Sequence, residues 1–353
     1  MNKQKNDTKR YLKPSERFVP EIEPTMEHAE IDMEQLSLFE NITLAHIDKN
    51  YIANAKVVND LTRLPISKLT APAEVDVGQN VTVLVEFGIE AGIELSSNHD
   101  FTYFDKAVFD AICTRYEAGD NVFSIRTIYR TMHNYDSSNN PSDARYNEIM
   151  NSIRKMNQIK VSADLTNHVR SYMKKSKEYS HLTDDEIDRM VGFYKIGNEP
   201  LIDYRTVEAQ IQGADTEAIY LVREPFLYNY SKAIKHVQSV PSELLNLGSK
   251  TRTTTDRTAI IHYLISRIET MKSQKERSRK KVLHTTQRTI RYDRIYEIVE
   301  KIRGEKLSSK VKRTKREEVN EILSQYVNRK YIRNFKIEKD SGGQPDTKVI
   351  LDI

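Results

Sequence analysis

A single cysteine, Cys113, occurs among 353 residues, so no disulfide can close within this sequence; that suits a reducing compartment. Nor is there an apolar run near the ~20 residues that a membrane span requires, and the first residues lack the apolar core of a secretory signal. A cytoplasmic protein with no membrane partner is therefore expected. Tryptophan is absent as well, which excludes nothing. Catalytic parts are also missing. No G-x-x-x-x-G-K-[ST] loop is present, so nucleotide hydrolysis on such a phosphate cradle is not expected. The nine histidines are scattered, with neither a His-x-His pair nor H-E-x-x-H, whereas a metal-assisted nickase needs clustered ligands beside its nucleophilic tyrosine. The 19 tyrosines fall mostly at apolar helix positions such as Tyr116, Tyr129 and Tyr326, where packing is the simplest role. Cys113 lies just off an apolar helix stripe and reads as a packing residue. No internal repeat of solenoid period occurs. These absences point away from an enzyme, a metal or a cofactor.

What the sequence does have is charge of uneven sign. Residues 1–100 carry 10 basic and 17 acidic side chains, whereas residues 251–316 carry 20 basic and 7 acidic ones. The formal net charge of +4 hides this separation. A basic concentration of that kind most often meets a phosphate backbone. An anionic membrane surface competes for the same charge, but no long helix here pairs it with an exposed apolar face.

The first 75 residues read as a flexible acidic arm, punctuated by Pro14, Pro20 and Pro24, with a short helix near 50–62. A segment so polar does not build its own core, yet "QLSLF" places Leu36, Leu38 and Phe39 inside it. Beyond the arm, "VTVLVEF" (81–87) is β-branched and reads as a strand. "FTYFDKAVFDAICTRYEAGDN" puts Phe104, Ala107, Val108, Ala111, Ile112 and Tyr116 on one helical stripe, with Thr102 as N-cap and Gly119 as stop. "FSIRTIYRTMHN" is a shorter helix capped by Ser124, and "DARYNEIMNSIRKMNQI" a third, burying Ile149, Met150, Ile153 and Met156. Strand patterns follow at 159–165, 200–211 and 216–222, the last two joined by "QGAD". Between them lies a charged insertion, 166–198, with a capping box at Thr183–Glu186.

The order then recurs without the sequence. A long helix starts in "TTTDRTAIIHYLISRIETMK", a second is "RYDRIYEIVEKI", and "KRTKREEVNEILSQYVNRK" is a third. "YIRNFKIEKDSGGQPDTKVILDI" closes the chain as two strands around a "DSGG" turn, and short linking helices, one starting near Pro241, fill the space between the blocks. Three helices and a hairpin, twice, predict an α+β fold of two tandem winged-helix domains behind a largely disordered N-terminal arm. The expected boundaries are 1–75 for the arm, 76–240 for the first domain with its insertion, and 241–353 for the second, basic domain.

In such a unit the third helix can enter a DNA major groove. On the third helix of the first block, Arg145, Asn147, Asn151, Arg154 and Lys155 alternate with buried positions, and Arg and Asn are the side chains that pair bidentately with guanine and adenine edges. A plain solvated face has the same pattern. The third helix of the second block opens with Lys310, Lys312, Arg313, Lys315 and Arg316; cations there oppose the helix dipole and call for an external anion. "KSQKERSRKK" adds Lys272, Lys275, Arg277, Arg279, Lys280 and Lys281, either as phosphate contacts or as a charged loop.

The stretches "FTYFDKAVFDAICTRYEAGDNVFSIRTIYRTM", "IMNSIRKM" and "PFLYNYSKAIKHVQSVPSELL" resemble the theta-type plasmid replication initiators, which bind repeated sites, the iterons, with two tandem winged helices. The likeness of order covers roughly residues 80–353; the insertion at 166–198 and the strongly charged second domain depart from the compact pattern. It implies binding to repeats in double-stranded origin DNA, opening of an AT-rich region, and recruitment of host proteins such as the replicative helicase or its loader, with a monomer–dimer equilibrium. Gln35, Leu36, Ser37, Leu38 and Phe39 resemble the peptide by which bacterial replication proteins dock on the sliding clamp: three apolar anchors for a preformed pocket and an amide at its rim. The competing reading is a single helical turn packed on the first domain. A bacterial protein associated with plasmid or nucleoid is implied. A phage or mobile-element transcriptional regulator with the same modules is the alternative, and a replication accessory protein the third reading.

Overall fold

The computed structural model describes residues 50–54, 56–64, 73–78, 81–87, 100–164, 166–175, 177–192, 195–211, 214–225, 227–228, 231, 237–248, 253–277, 288–338 and 348–353. Helices and antiparallel sheets alternate along the chain, which is an α+β architecture. Its centre is α2 (Tyr103–Glu117), after β1 (Asn50–Asn54), α1 (Lys56–Leu61), β2 (Ala73–Gly78) and β3 (Val81–Phe87). Thr102 caps α2 in a reciprocal capping box with Asp105, and Gly119, at φ +97°, lets the chain turn away after it. The apolar spacing predicts one stripe. In the structure every residue from Tyr103 to Arg115 is buried, because α7 (Thr255–Arg277) lies against α2 in the most extensive helix-to-helix contact among the described residues.

Burial on all faces obliges the polar residues of α2 to find partners within the protein. Lys106 and Asp110, each 1% exposed, pair with one another across one helical turn. Arg115 pairs with Asp120, and Lys155 reaches Asp105 at 2.9 Å. Apolar residues fill the remainder: Phe104, Val108, Phe109 and Ile112 from α2 share a continuous core with Ile260, Leu264, Ile265 and Ile268 from α7.

Each block repeats one plan. In the first, β4 (Val122–Ser124) leads into α3 (Ile125–His133), capped by Ser124, and α4 (Asp143–Gln158), capped by Ser142. The chain later returns as the hairpin of β7 (Tyr204–Ile211) and β8 (Ala214–Leu221). The sheet order is β4-β8-β7, with Ile219 of the central strand opposite both Phe123 and Thr206. In the second block β10 (Thr289–Arg291), α8 (Tyr292–Arg303), α9 (Ser309–Asn328), β11 (Asn334–Glu338) and β12 (Lys348–Asp352) follow α7. Their order is β10-β12-β11, with Val349 opposite both Ile290 and Ile337. Gly304, at φ +71°, ends α8 in the left-handed conformation.

The insertion between the first block's strands forms α5 (Thr166–Lys175) and α6 (Asp184–Met190), the latter starting at the Thr183–Glu186 capping box. Arg170 holds the pair together by donating to the carbonyls of Asp188 and Val191. The strand before it, β5 (Ile159–Asp164), joins β2, β3 and β6 (Lys195–Pro200) in a separate four-stranded sheet, order β2-β3-β5-β6. Residues 200–211, expected as one strand, thus divide between two sheets where Leu201 and Ile202 turn into the core.

One expectation needs correction. The arm does not extend to residue 75: β1 pairs with β9 (Val237–Pro241), and Tyr51, Val58 and Leu61 are buried. Its acidic composition hid these few apolar anchors. The linking segment contains that strand, and a short 3-10 helix, Ser242–Leu245, starts at Pro241 as expected. The three-residue strands β4 and β10 add to the expected order, each ending at the residue that caps the following helix, Ser124 and Arg291. Residues 35–39 and the "DSGG" turn lie outside the described residues.

The buried Lys106–Asp110 pair makes a direct prediction. Lys106→Met alone removes the ammonium paired with a buried carboxylate and should cost about 3–5 kcal/mol, whereas Lys106→Met with Asp110→Leu should recover most of the loss. Urea denaturation of the two variants checks both values.

Candidate nucleic-acid interface

Helix α9 presents a basic start over its first two turns. Ser308 caps it, accepting from the Val311 amide at 3.5 Å. Lys310 and Arg313 are exposed, and the Arg313 guanidinium reaches Glu317 at 3.0 Å on the surface. Lys312 stands 5.4 Å from the centre of the Tyr296 ring, and Arg316 is half-buried. Four of the five predicted cations therefore remain on or near the outer face. Lys315 does not. It is buried, with its ammonium 3.1 Å from Asp256 and 2.8 Å from Glu318. Asp256 also accepts two hydrogen bonds from Arg303, at 2.6 and 3.0 Å, and this raises the guanidinium pKa above its ordinary value. Arg257 completes the network with Glu318 at 3.3 Å and Glu321 at 3.4 Å. The start of α7, the end of α8 and the first half of α9 are thereby bonded together.

In the first block α4 offers a narrower polar face. Asn147 and Arg154 are exposed, and Arg154 donates to the Asn151 amide oxygen at 3.4 Å. Tyr146 fixes this helix to the hairpin by donating to Glu217 on β8 at 2.6 Å. Its phenol pKa is raised, first by burial and then by the Glu217 bond. Two predicted contacts turn inward. Lys155 binds Asp105 and the Asp100 carbonyl, at 2.9 and 3.0 Å. Arg145 donates to Thr255 Oγ1 at 2.6 Å and to the Thr253 carbonyl at 3.3 Å, with Glu148 at 2.5 Å. Arg145 therefore ties α4 to the start of α7. A cleft of about 820 Å³ opens beside it, lined among others by Ser142, Glu148, Asn246 and Arg257.

Of the basic run 272–281, Lys272 stacks over the Tyr331 ring at 3.5 Å and pairs with Glu269 at 3.0 Å. Lys275 and Arg277 belong to α7, but their side chains, like residues Arg279, Lys280 and Lys281, lie outside the described residues. Arg126 on α3, Arg205 on β7 and Lys336 on β11 are exposed as well. The reading of helix faces did not reach them, because two stand on hairpins and one at the start of a short helix. Among the described residues no group of three or more His, Cys, Asp or Glu could hold a metal ion, and no helix is long and apolar enough to cross a membrane.

The sequence matches no protein-family model and no curated protein. Among solved structures, a crystal structure of selenomethionine derivatives of domains 2 and 3 of RctB is similar over 84% of this chain and 98% of that one, at 14% identity and a TM-score of 0.38. A likeness that distant carries no argument about function.

The two kinds of lysine and arginine on α9 should separate experimentally. Lys315→Ala leaves Asp256 and Glu318 short of a buried partner and should cost about 1–3 kcal/mol. Arg313→Ala removes a surface pair and should stay within about 0.5 kcal/mol of the parent. Thermal unfolding of both variants measures the contrast.

Proposed function

We propose that this chain is a replication initiator of a bacterial plasmid or mobile element: a non-enzymatic, sequence-specific DNA-binding protein with two winged-helix units. The observation that carries this reading is the repetition, in one chain, of helix, short strand, two helices and a hairpin, with the last strand central in both sheets. Each repeat leaves polar residues on its third helix at the surface, Asn147 and Arg154 on α4, Lys310 and Arg313 on α9. On this reading the first unit falls within 76–240 and the second within 241–353, and both dock in major grooves of repeated origin sites. The resemblance of residues 80–353 to theta-type initiators supports the same assignment. Residues 35–39 then supply the sliding-clamp ligand, and the replicative helicase or its loader is a further partner. A transcriptional regulator built on the same modules is the second reading; a clamp-binding peptide distinguishes the two, since a repressor has no evident use for a clamp.

Phosphate contacts should dominate affinity for DNA chosen by the protein from a random pool. With six to ten such contacts, affinity falls by roughly 10³–10⁵ between about 50 and 200 mM salt. Arg313→Glu with Arg316→Glu should abolish the mobility shift while leaving the circular dichroism spectrum unchanged. A shift that survives at moderate salt would remove α9 from the interface.

A peptide of residues 30–44 should bind purified bacterial clamp, and Leu38→Ala with Phe39→Ala should cost ~2 kcal/mol or more per anchor. The same double substitution in the full chain should leave DNA affinity and thermal stability at parent values. A drop in stability with no clamp binding would mean that these residues pack on the protein itself.

A further inference from the structure

Residues 50–64 precede both blocks in sequence and touch both in space. Strand β1 pairs antiparallel with β9, in the register Asn50↔Pro241 to Asn54↔Val237, and β9 belongs to the segment joining the blocks. Tyr51 is 1% exposed. Its hydroxyl donates to the Ala107 carbonyl on α2 at 3.0 Å, and its ring meets His262 of α7 edge to face, with centroids 5.5 Å apart. One side chain thus contacts the central helix of each block. Helix α1 goes further into the second block: Asn59 donates to Ser266 of α7 at 2.6 Å, while Val58 and Leu61 are buried. At the next turn the Lys301 ammonium of α8 donates to the Thr62 and Leu64 carbonyls, at 2.7 and 3.0 Å. Burial lowers the pKa of that lysine, offset in part by Asp100 and Asp105.

We infer that residues 50–64 are a strap that fixes the relative placement of the two blocks. A segment that only covered one block would spread its anchors over that block. Here they fall on both sides of the seam, Ala107 on one, His262, Ser266 and the Lys301 ammonium on the other. Polar groups lie on both helices of this seam: α2 carries the buried Lys106–Asp110 pair and α7 the buried His262. Polar contacts need fixed geometry more than apolar ones do, so the seam relies on an element that holds its angle.

The test uses the full chain, spin-labelled through Thr206→Cys on β7 and Ser324→Cys on α9, both exposed positions. Cys113 is buried and stays unlabelled. Pulsed dipolar spectroscopy should give one narrow distance for the parent. Tyr51→Ala with Asn59→Ala should lose that single distance and broaden the distribution, with unchanged far-ultraviolet circular dichroism. Ile187→Ala, which opens a void at a buried position of the insertion away from the strap, should keep it. If the double variant does not fold, Tyr51→Phe with Asn59→Ala removes only the two hydrogen bonds and should still broaden the distance. A distribution as narrow as that of Ile187→Ala in whichever strap variant folds would overturn the inference.

Discussion

From Tyr103 to Arg115 one helix is surrounded by protein on every side, and a helix so placed must neutralise each of its own charges internally. Asp105 binds its N-cap and Lys155, Lys106 binds Asp110, and Arg115 binds Asp120. Because α7 forms one wall of that surround, the second block cannot be removed without exposing α2, and the apolar core runs unbroken from one block to the other. The hairpin sheet of each block contributes buried residues to that core: Phe123 and Ile219 in one, Ile290 and Val349 in the other.

The same constraint sorts the basic residues. Arg145, Lys155 and Lys315 carry long side chains near helix starts or seams, and each is drawn to an acceptor across a helix–helix contact. Lys310, Arg313 and Arg154 are exposed. Cations bonded across helix contacts and cations at the surface are thus interleaved along α4 and α9. The surplus of cations over residues 251–316 is partly structural, since Arg257, Arg303 and Lys315 all serve one acidic cluster.

Local signals were legible without the structure. The caps Thr102, Ser124 and Thr183 stand where capping chemistry put them, and the helical order of both blocks follows from apolar spacing. Strands of three residues carry no periodicity, so β4 and β10 were invisible. The burial of Tyr51 and the inward turn of Arg145, Lys155 and Lys315 depend on partners 50 or more residues away, such as Ala107, Thr255, Asp105 and Asp256. A one-dimensional face pattern does not contain such partners, so it could not show that three of the ten residues singled out on α4 and α9 bond across a helix–helix contact. The remaining seven, with Arg205 and Lys336 from the hairpins, make up the candidate interface.

The central claim is that both blocks read one DNA duplex as a single body. Hydroxyl-radical footprinting on duplexes selected by the full chain tests it directly. The account predicts two protected tracts on every selected duplex, in constant phase and about one helical turn apart, as two major-groove readers require. One tract of a single turn, or two whose spacing varies between duplexes, would contradict it.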